Sequence, residues 1–377
     1  MEPSVIESIH EDHGAIFGER GGRRVVDHYG RPERAHRAVR NGVGLLEAAY
    51  GVVVVEGDDR LEYVDNVVSN RVPATDGQGC YALLLDPQGR IESDLYVFNA
   101  GERLLLLTPP AHAAEIAADW SEKVFIQDVE IRDGSDEFAV FELHGPHATE
   151  KVASVLNGAA SPEDRFSFVR GSMGDTGVTV VRMDALGGEE SYAVVCGVEA
   201  APDVHDVLST QGLNAAPVGY RTYDALALEA GSPLFSSELA GTIPNVLGLR
   251  LALDFEKGCY VGQEVVSRVE NRGQPSRQLV GLTIEGEDEA DPEPPIPESG
   301  ATVFDGDATV GEVTSAGMSP LLEDTIALAL VEFGLEADAL SVRVDGHEVP
   351  ATPTPLPFLE GSERSARVPV YDGEDTS

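Results

Sequence analysis

"CYALLLDPQGRIESDLYVF", residues 80–98, decides the fold class. Two apolar runs flank the turn Pro87-Gln88-Gly89, which reads as a β-hairpin. "RLLLLT" (103–108) supplies a third strand, and Pro109-Pro110 then open an alanine-rich helix ending near Trp120. Upstream, "AHRAVRNGVGLLEAAY" (35–50) carries apolar residues at helical spacing, and "GVVVVEG" (51–57) is a short β-branched strand between glycines. Asp58 or Asp59 can cap a helix with Leu61, Val64, Val67 and Val68 on one face. Downstream, "VFIQDVEI" and "FAVFELHG" read as strands and "PHATEKVASVL" as a helix. Strands near 178–183 and 192–196 and a helix near 203–210 follow. Strand pairs followed by helices predict antiparallel sheets with helices on one face, an α+β protein rather than a doubly wound α/β one.

Residues 284–300, "IEGEDEADPEPPIPESG", are acidic and proline-rich, and read as a surface loop or boundary. Beyond them, short apolar runs alternate with Gly and Asp turns, the pattern of a small β-barrel.

The 377 residues carry 66 acidic and 26 basic side chains, a net charge of −40, and only Lys123, Lys151 and Lys257 are lysines. Such a balance suits either an acidic, nucleic-acid-like partner binder or a halophilic protein bathed in molar salt. The acidic residues are spread through every segment, which favours the salt reading. In molar salt the Debye length falls to roughly 3 Å and self-repulsion is largely screened. With no basic stripe to neutralise phosphates, direct nucleic-acid binding is not expected. No run of eighteen apolar residues occurs and the first residues are acidic, so a cytoplasmic protein with no membrane partner is expected. Cys80, Cys196 and Cys259 lie far apart with no C-x-x-C, so neither a disulfide framework nor a metal site is expected. No glycine-rich phosphate loop follows a strand.

One stretch stands out as chemistry. In "KGCYVGQE" (257–264) the glycines permit a tight turn, and Lys257 beside Cys259 can favour a thiolate, with Gln263 and Glu264 adding an amide and a carboxylate. The plainer reading is a strand-to-helix turn in which Cys259 is a small buried hydrophobe and Glu264 starts a helix.

"KGCYVGQEVVSR" resembles the K-G-C-[FY]-x-G-Q-E signature of the YgfZ-type folate-binding proteins, paralogues of the glycine-cleavage T-protein, an aminomethyltransferase. "HGAIFGERGGRRVVDHYGRPERAHRAVRNGVGLLEAAYGVVVVEGDD" (13–59), "LDPQGRIESDLYVF", "YDALALEAGSPLF" (223–235) and "VGEVTSAGMSPLLEDTIALALV" (310–331) are similar to further T-protein segments. The resemblance implies a GcvT/YgfZ-like three-domain ring of mixed and antiparallel sheets plus helices, with tetrahydrofolate, or a one-carbon derivative, in a central channel. It divides the chain into interleaved parts, roughly 1–55 with 135–235 and 56–134 with 236–278, and a C-terminal β-barrel over 279–377.

The resemblance also assigns roles. Asp94 corresponds to the hairpin aspartate that lies against the folate nitrogens. Glu189, in "LGGEESY" (186–192), corresponds to the glutamate that grips the pterin, with Tyr192 beside it. Arg221 could take the folate's glutamate tail by a bidentate pair. Cys259 becomes the working thiol at the channel mouth, Lys257 its electrostatic activator, and Gln263 and Glu264 further binding groups; His13 and His28 are structural. Thr108-Pro109, Tyr223 and Ala227 depart from the T-protein pattern, where Asn and two Arg residues stand, and weigh against aminomethyl transfer. The implied function is support of iron–sulfur cluster assembly or repair, with iron–sulfur proteins or assembly factors as partners. The alternatives are an aminomethyltransferase served by a lipoyl carrier protein, and a folate-dependent demethylase relative.

Overall fold

The computed structural model describes residues 2–286 and 294–371. The hairpin forms as the strands Gln78–Leu85 and Ile91–Asn99, with Tyr81 opposite Tyr96 and Leu83 opposite Asp94. It lies in an antiparallel five-stranded sheet, in the order Gln78–Leu85, Ile91–Asn99, Arg103–Thr108, Gly51–Glu56, Glu130–Asp133. Side chains alternate across a strand. Leu95 and Val97 therefore face outward under the helices Arg60–Val67 and Ala113–Glu122, packing with Val64, Ile116 and Trp120. Tyr96 and Phe98 face inward, toward Val140, Val181 and Ala193 of a second sheet. Asp94 shares that inward parity, which is how a carboxylate comes to lie between two sheets.

The second sheet has six strands, in the order Phe168–Met173, Thr176–Arg182, Ser191–Gly197, Phe138–His144, Gly44–Ala48, Ala216–Pro217. Only its last pairing is parallel. The helices Ala148–Val155 and Ala201–Thr210 bury Val152, Val204 and Leu208 on its far face. Six strands between Arg277 and Thr354 then close into a barrel. The protein is α+β with a C-terminal closed barrel, as the sequence pattern indicates.

Three local expectations need correction. The helix expected over 35–50 spans Pro32–Arg40 and stops at Asn41-Gly42, and Gly44–Ala48 is a strand paired with Phe138–His144. A Cβ at Gly44 would lie 2.6 Å from Val39 and 2.7 Å from Val218, so the start of this strand packs closely against both valines because it carries no side chain. The strand expected from "VFIQDVEI" is reduced to Glu130–Asp133, while Phe125 and Ile126 stand exposed. Apolar composition there lacked a partner strand. Asp59 precedes its helix, but its carboxylate accepts from the Asp128 amide rather than capping. Of the acidic loop expected over 284–300, residues 287–293 lie outside the described residues.

A buried ionic cluster ties the pieces together. Arg40 bridges Glu189 (2.8 Å) and Glu229 (2.7 Å), and His36 Nε2 meets Glu229 at 2.7 Å. Ser319 of the barrel donates to Glu229 Oε1, and Ser362 donates to Glu189 Oε2. Burial alone would push the Glu229 carboxyl up, but His36, Ser319 and Arg40 outweigh it and hold it below its ordinary 4.5. A depressed carboxyl contributes stability above the unfolded-state pKa and loses it as pH falls through the folded one. The thermal midpoint is therefore expected to fall as the pH drops below the ordinary 4.5 of this carboxyl. The loss should be smaller in Glu229→Gln, and identical pH curves for the two proteins would contradict an ionised cluster.

Candidate functional site

Between the two sheets lies a cavity of about 260 Å³ lined by Asp94, Tyr96, Tyr50, Glu142, His112 and Tyr223, among others. Asp94 is only 7% exposed, a costly position for a carboxylate without a partner. Its partner is Arg367, whose Nη2 lies 2.9 Å from Oδ2. The same Nη2 donates to the Tyr96 hydroxyl at 2.6 Å, and the guanidinium lies 4.2 Å from the centre of the Tyr81 ring. Tyr81 Oη also donates to Asp94 Oδ2, at 3.3 Å. A cation from the end of the described chain thus fixes a carboxylate from the hairpin.

Glu142 forms the opposite wall. The Tyr50 hydroxyl donates to its Oε1 at 2.8 Å, and His144 Nε2 lies 3.1 Å from Oε2. Burial pushes the Tyr50, Tyr81 and Tyr223 hydroxyls well above their ordinary 10, so they stay protonated donors. His112 bonds the Ser93 hydroxyl at 2.9 Å and meets the Phe235 ring edge-on at 4.8 Å. Burial pulls it below its ordinary 6.5 against the opposing charge of Asp94, so it is a neutral imidazole at pH 7. Ordered tyrosine faces, accepting carboxylates and a neutral imidazole suit a flat heterocycle bearing N–H groups. Arg367 Nε is buried without a hydrogen-bond partner among the described residues, a further donor in this cluster.

The other expected site residues go elsewhere. Glu189 spends Oε1 on Arg40 and Oε2 on the Ser362 amide and hydroxyl, and does not line this cavity. Tyr192 is buried in the helix-side core of the second sheet, with its hydroxyl donating to the Pro162 carbonyl. Arg221 is exposed and pairs with Asp27 at 2.6 Å, which neutralises it. Cys259 is a free, exposed thiol outside this cavity, so it is not the buried hydrophobe of the plainer reading. Gln263 rather than Glu264 begins the helix Gln263–Arg272, and Glu264 pairs with Arg268 one turn on.

Lys257 requires a correction. Its ammonium turns inward, donating to the carbonyls of Asp65 (2.5 Å), Val68 (3.0 Å) and Asn70 (2.7 Å), with the Asp65 carboxylate at 3.4 Å. The thiol it faces is Cys80, whose pKa burial nevertheless raises to about 12. Neighbours on a tight turn point apart, so adjacency in sequence did not bring this cation to Cys259. The turn has a structural task instead. Gly262, at φ +80°, sits where a Cβ would lie 2.6 Å from the Asp86 carbonyl, pressed against the tip of the hairpin.

Glu142, His112, Tyr50 and Arg367 were not singled out from sequence. Glu142 and His144 stand two apart on the strand "FAVFELH", polar on one face of an otherwise apolar run, and that alternation was the available signal. Arg367 carried none.

Two facing sheets with a polar cavity between them, followed by a closed barrel, define the class. The GCVT N-terminal domain model matches residues 6–257, and the glycine cleavage T-protein C-terminal barrel domain model matches residues 277–360. The chain belongs to this family. It is 31% identical over 360 residues to an aminomethyltransferase of Geobacillus thermodenitrificans, covering 93% of this chain and 96% of that one. An aminomethyltransferase of Frankia alni is 33% identical over 374 residues, covering 97% and 99%. The crystal structure of the glycine cleavage system aminomethyltransferase T from Bartonella henselae has the same fold, with a TM-score of 0.84 at 23% identity, covering 97% and 99%. Among the described residues no helix is long and apolar enough to cross a membrane.

Proposed function

We propose that the protein is a folate-dependent aminomethyltransferase, moving a one-carbon unit from a lipoyl-bound aminomethyl group to tetrahydrofolate with release of ammonia. The observation that carries this reading is Asp94, held by Arg367 and 7% exposed in the wall of a tyrosine-lined cavity. The aminomethyltransferase relatives, aligned over nearly the whole chain, support it. The pterin would lie against the tyrosine rings, with its N–H groups toward Asp94 and Glu142. Asp94 would orient the accepting nitrogen and hold a proton as the new bond forms. His112, a neutral imidazole, is the neighbouring proton carrier. The departures at Thr108 and Tyr223 change donors around the cavity without removing its carboxylates, and Ala227 is buried outside its lining.

The test is direct. Purified protein in molar salt, given tetrahydrofolate and an aminomethyl-loaded lipoyl carrier protein, should release ammonia. Folate binding without any ammonia release would reject transfer.

A second reading rests on the exposed thiol of "KGCYVGQE": a YgfZ-type, tetrahydrofolate-binding role in iron–sulfur cluster assembly or repair, with Cys259 meeting iron–sulfur proteins at the surface. Cys259→Ser separates the two. Under the transferase reading, ammonia release and folate affinity are expected to stay within about twofold of the parent, since the thiol lies outside the cavity. Loss of cellular iron–sulfur enzyme activity with unchanged folate affinity would favour the second reading.

A further inference from the structure

The hairpin serves the cavity from both of its faces. Asp94 points inward, while its neighbour Ser93, on the other face of the same strand, reaches His112 just before the helix Ala113–Glu122. His112 is held in place by its backbone as well. Its amide donates to the Pro109 carbonyl at 3.0 Å, and its carbonyl accepts the Ile116 amide at 2.9 Å. The ring lines the cavity and makes one hydrogen bond among the described residues, between Nδ1 and Ser93 Oγ at 2.9 Å.

The direction of that bond follows from a second contact. Ser93 Oγ also lies 3.4 Å from the Asp94 carbonyl, and a hydroxyl has a single proton to give. Both contacts are hydrogen bonds only if that proton goes to the carbonyl and the imidazole donates Nδ1–H to Oγ. The lone pair is then on Nε2. That nitrogen has no partner among the described residues and is not sealed from solvent.

The transfer needs such a base. Moving an aminomethyl carbon breaks its bonds to sulfur and to nitrogen and makes two to folate nitrogens. The two folate N–H protons leave, one ending on the lipoyl sulfur and one on the departing ammonia, with no oxidation or reduction. Asp94 accounts for one of these protons. Of the other titratable groups around the cavity, Arg20 and Arg367 are cations already, and the four tyrosines are held protonated by burial. Glu142 has both oxygens engaged. His112 is left as the group with an open lone pair.

We propose that Ser93 positions His112 so that its Nε2 accepts the second folate proton and hands it to the departing ammonia. The proposal rests on the transferase reading, and its first test needs no transfer.

In the free protein at pH 7, nitrogen-15 spectra of the imidazoles should place the His112 proton on Nδ1, and Ser93→Ala should move the larger share of it to Nε2. In single turnover, His112→Ala should lower ammonia release about 10²-fold, and free imidazole should restore the rate at least about tenfold. Tetrahydrofolate affinity should stay within about twofold of the parent. His112→Gln should show the same fall, and covers the case in which the alanine variant fails to fold. Ser93→Asp places a carboxylate on Nδ1 and favours the imidazolium, as Asp94 and Glu115 already do against burial. The acid limb of the pH–rate profile should therefore move upward by about one pH unit or more. A proton on Nε2 in the parent, a tautomer indifferent to Ser93→Ala, or an unchanged rate in both His112 variants would each overturn the proposal while leaving transfer intact. A parent that binds tetrahydrofolate and releases no ammonia would instead overturn the transferase reading, and the proton step with it.

Discussion

Ammonia release by Asp94→Asn is expected to fall about 10²–10³-fold, the scale on which a positioned proton-handling group acts. Asparagine preserves the shape of the side chain but can neither hold a proton nor balance the Arg367 guanidinium 2.9 Å away. Tetrahydrofolate affinity should weaken as well, because the unpaired guanidinium repels N–H groups brought against it. The measurement is ammonia release in single turnover, paired with calorimetric folate titration of both proteins. A change below threefold in both would show that Asp94 merely closes a salt bridge. Glu142, on the opposite wall and bonded to Tyr50 and His144, would then take its place as the carboxylate to replace.

The second large effect is on stability. Lys257→Met should destabilise the fold by about 3–5 kcal/mol, as removal of one partner from a buried charged contact does. Three backbone carbonyls, of Asp65, Val68 and Asn70, lose their donor together. The side chain is only 2% exposed, so water cannot readily replace it. Denaturant midpoints read the loss, and a difference under about 1 kcal/mol would mean that the carbonyls find other donors. In the folded variant, the alkylation rate of Cys259 should match that of the parent, because the ammonium faces Cys80 instead. A slowed rate would restore the activator role expected from the sequence.

Much of the fold was legible because it is written in short-range pattern. The hairpin alternation at 80–98 set the parity that places Asp94 on the inner face, and the Gly- and Asp-punctuated runs after residue 300 marked the barrel. The helix over 35–50 was misread because its apolar spacing continues past Asn41-Gly42, and only the partner strand Phe138–His144 makes Gly44–Ala48 extended. The site was legible in part for the same reason. Asp94 is set by its own hairpin, whereas Arg367 is set by where a distant segment crosses the sheets, and no local pattern announces that. Lys257 and Cys259 show the opposite error. Two residues apart in sequence, they serve different surroundings because the turn between them sends their side chains different ways.

The segment that delivers Arg367 also has a bearing on biosynthesis. Arg367 and its hydroxyl partner Tyr96 are 271 residues apart. As the polypeptide leaves the ribosome, both sheets and nearly all of the barrel emerge before that guanidinium does. A nascent chain stalled short of residue 367 therefore holds an unneutralised carboxylate between its sheets, and the pocket acquires its working electrostatics only once that arginine has emerged.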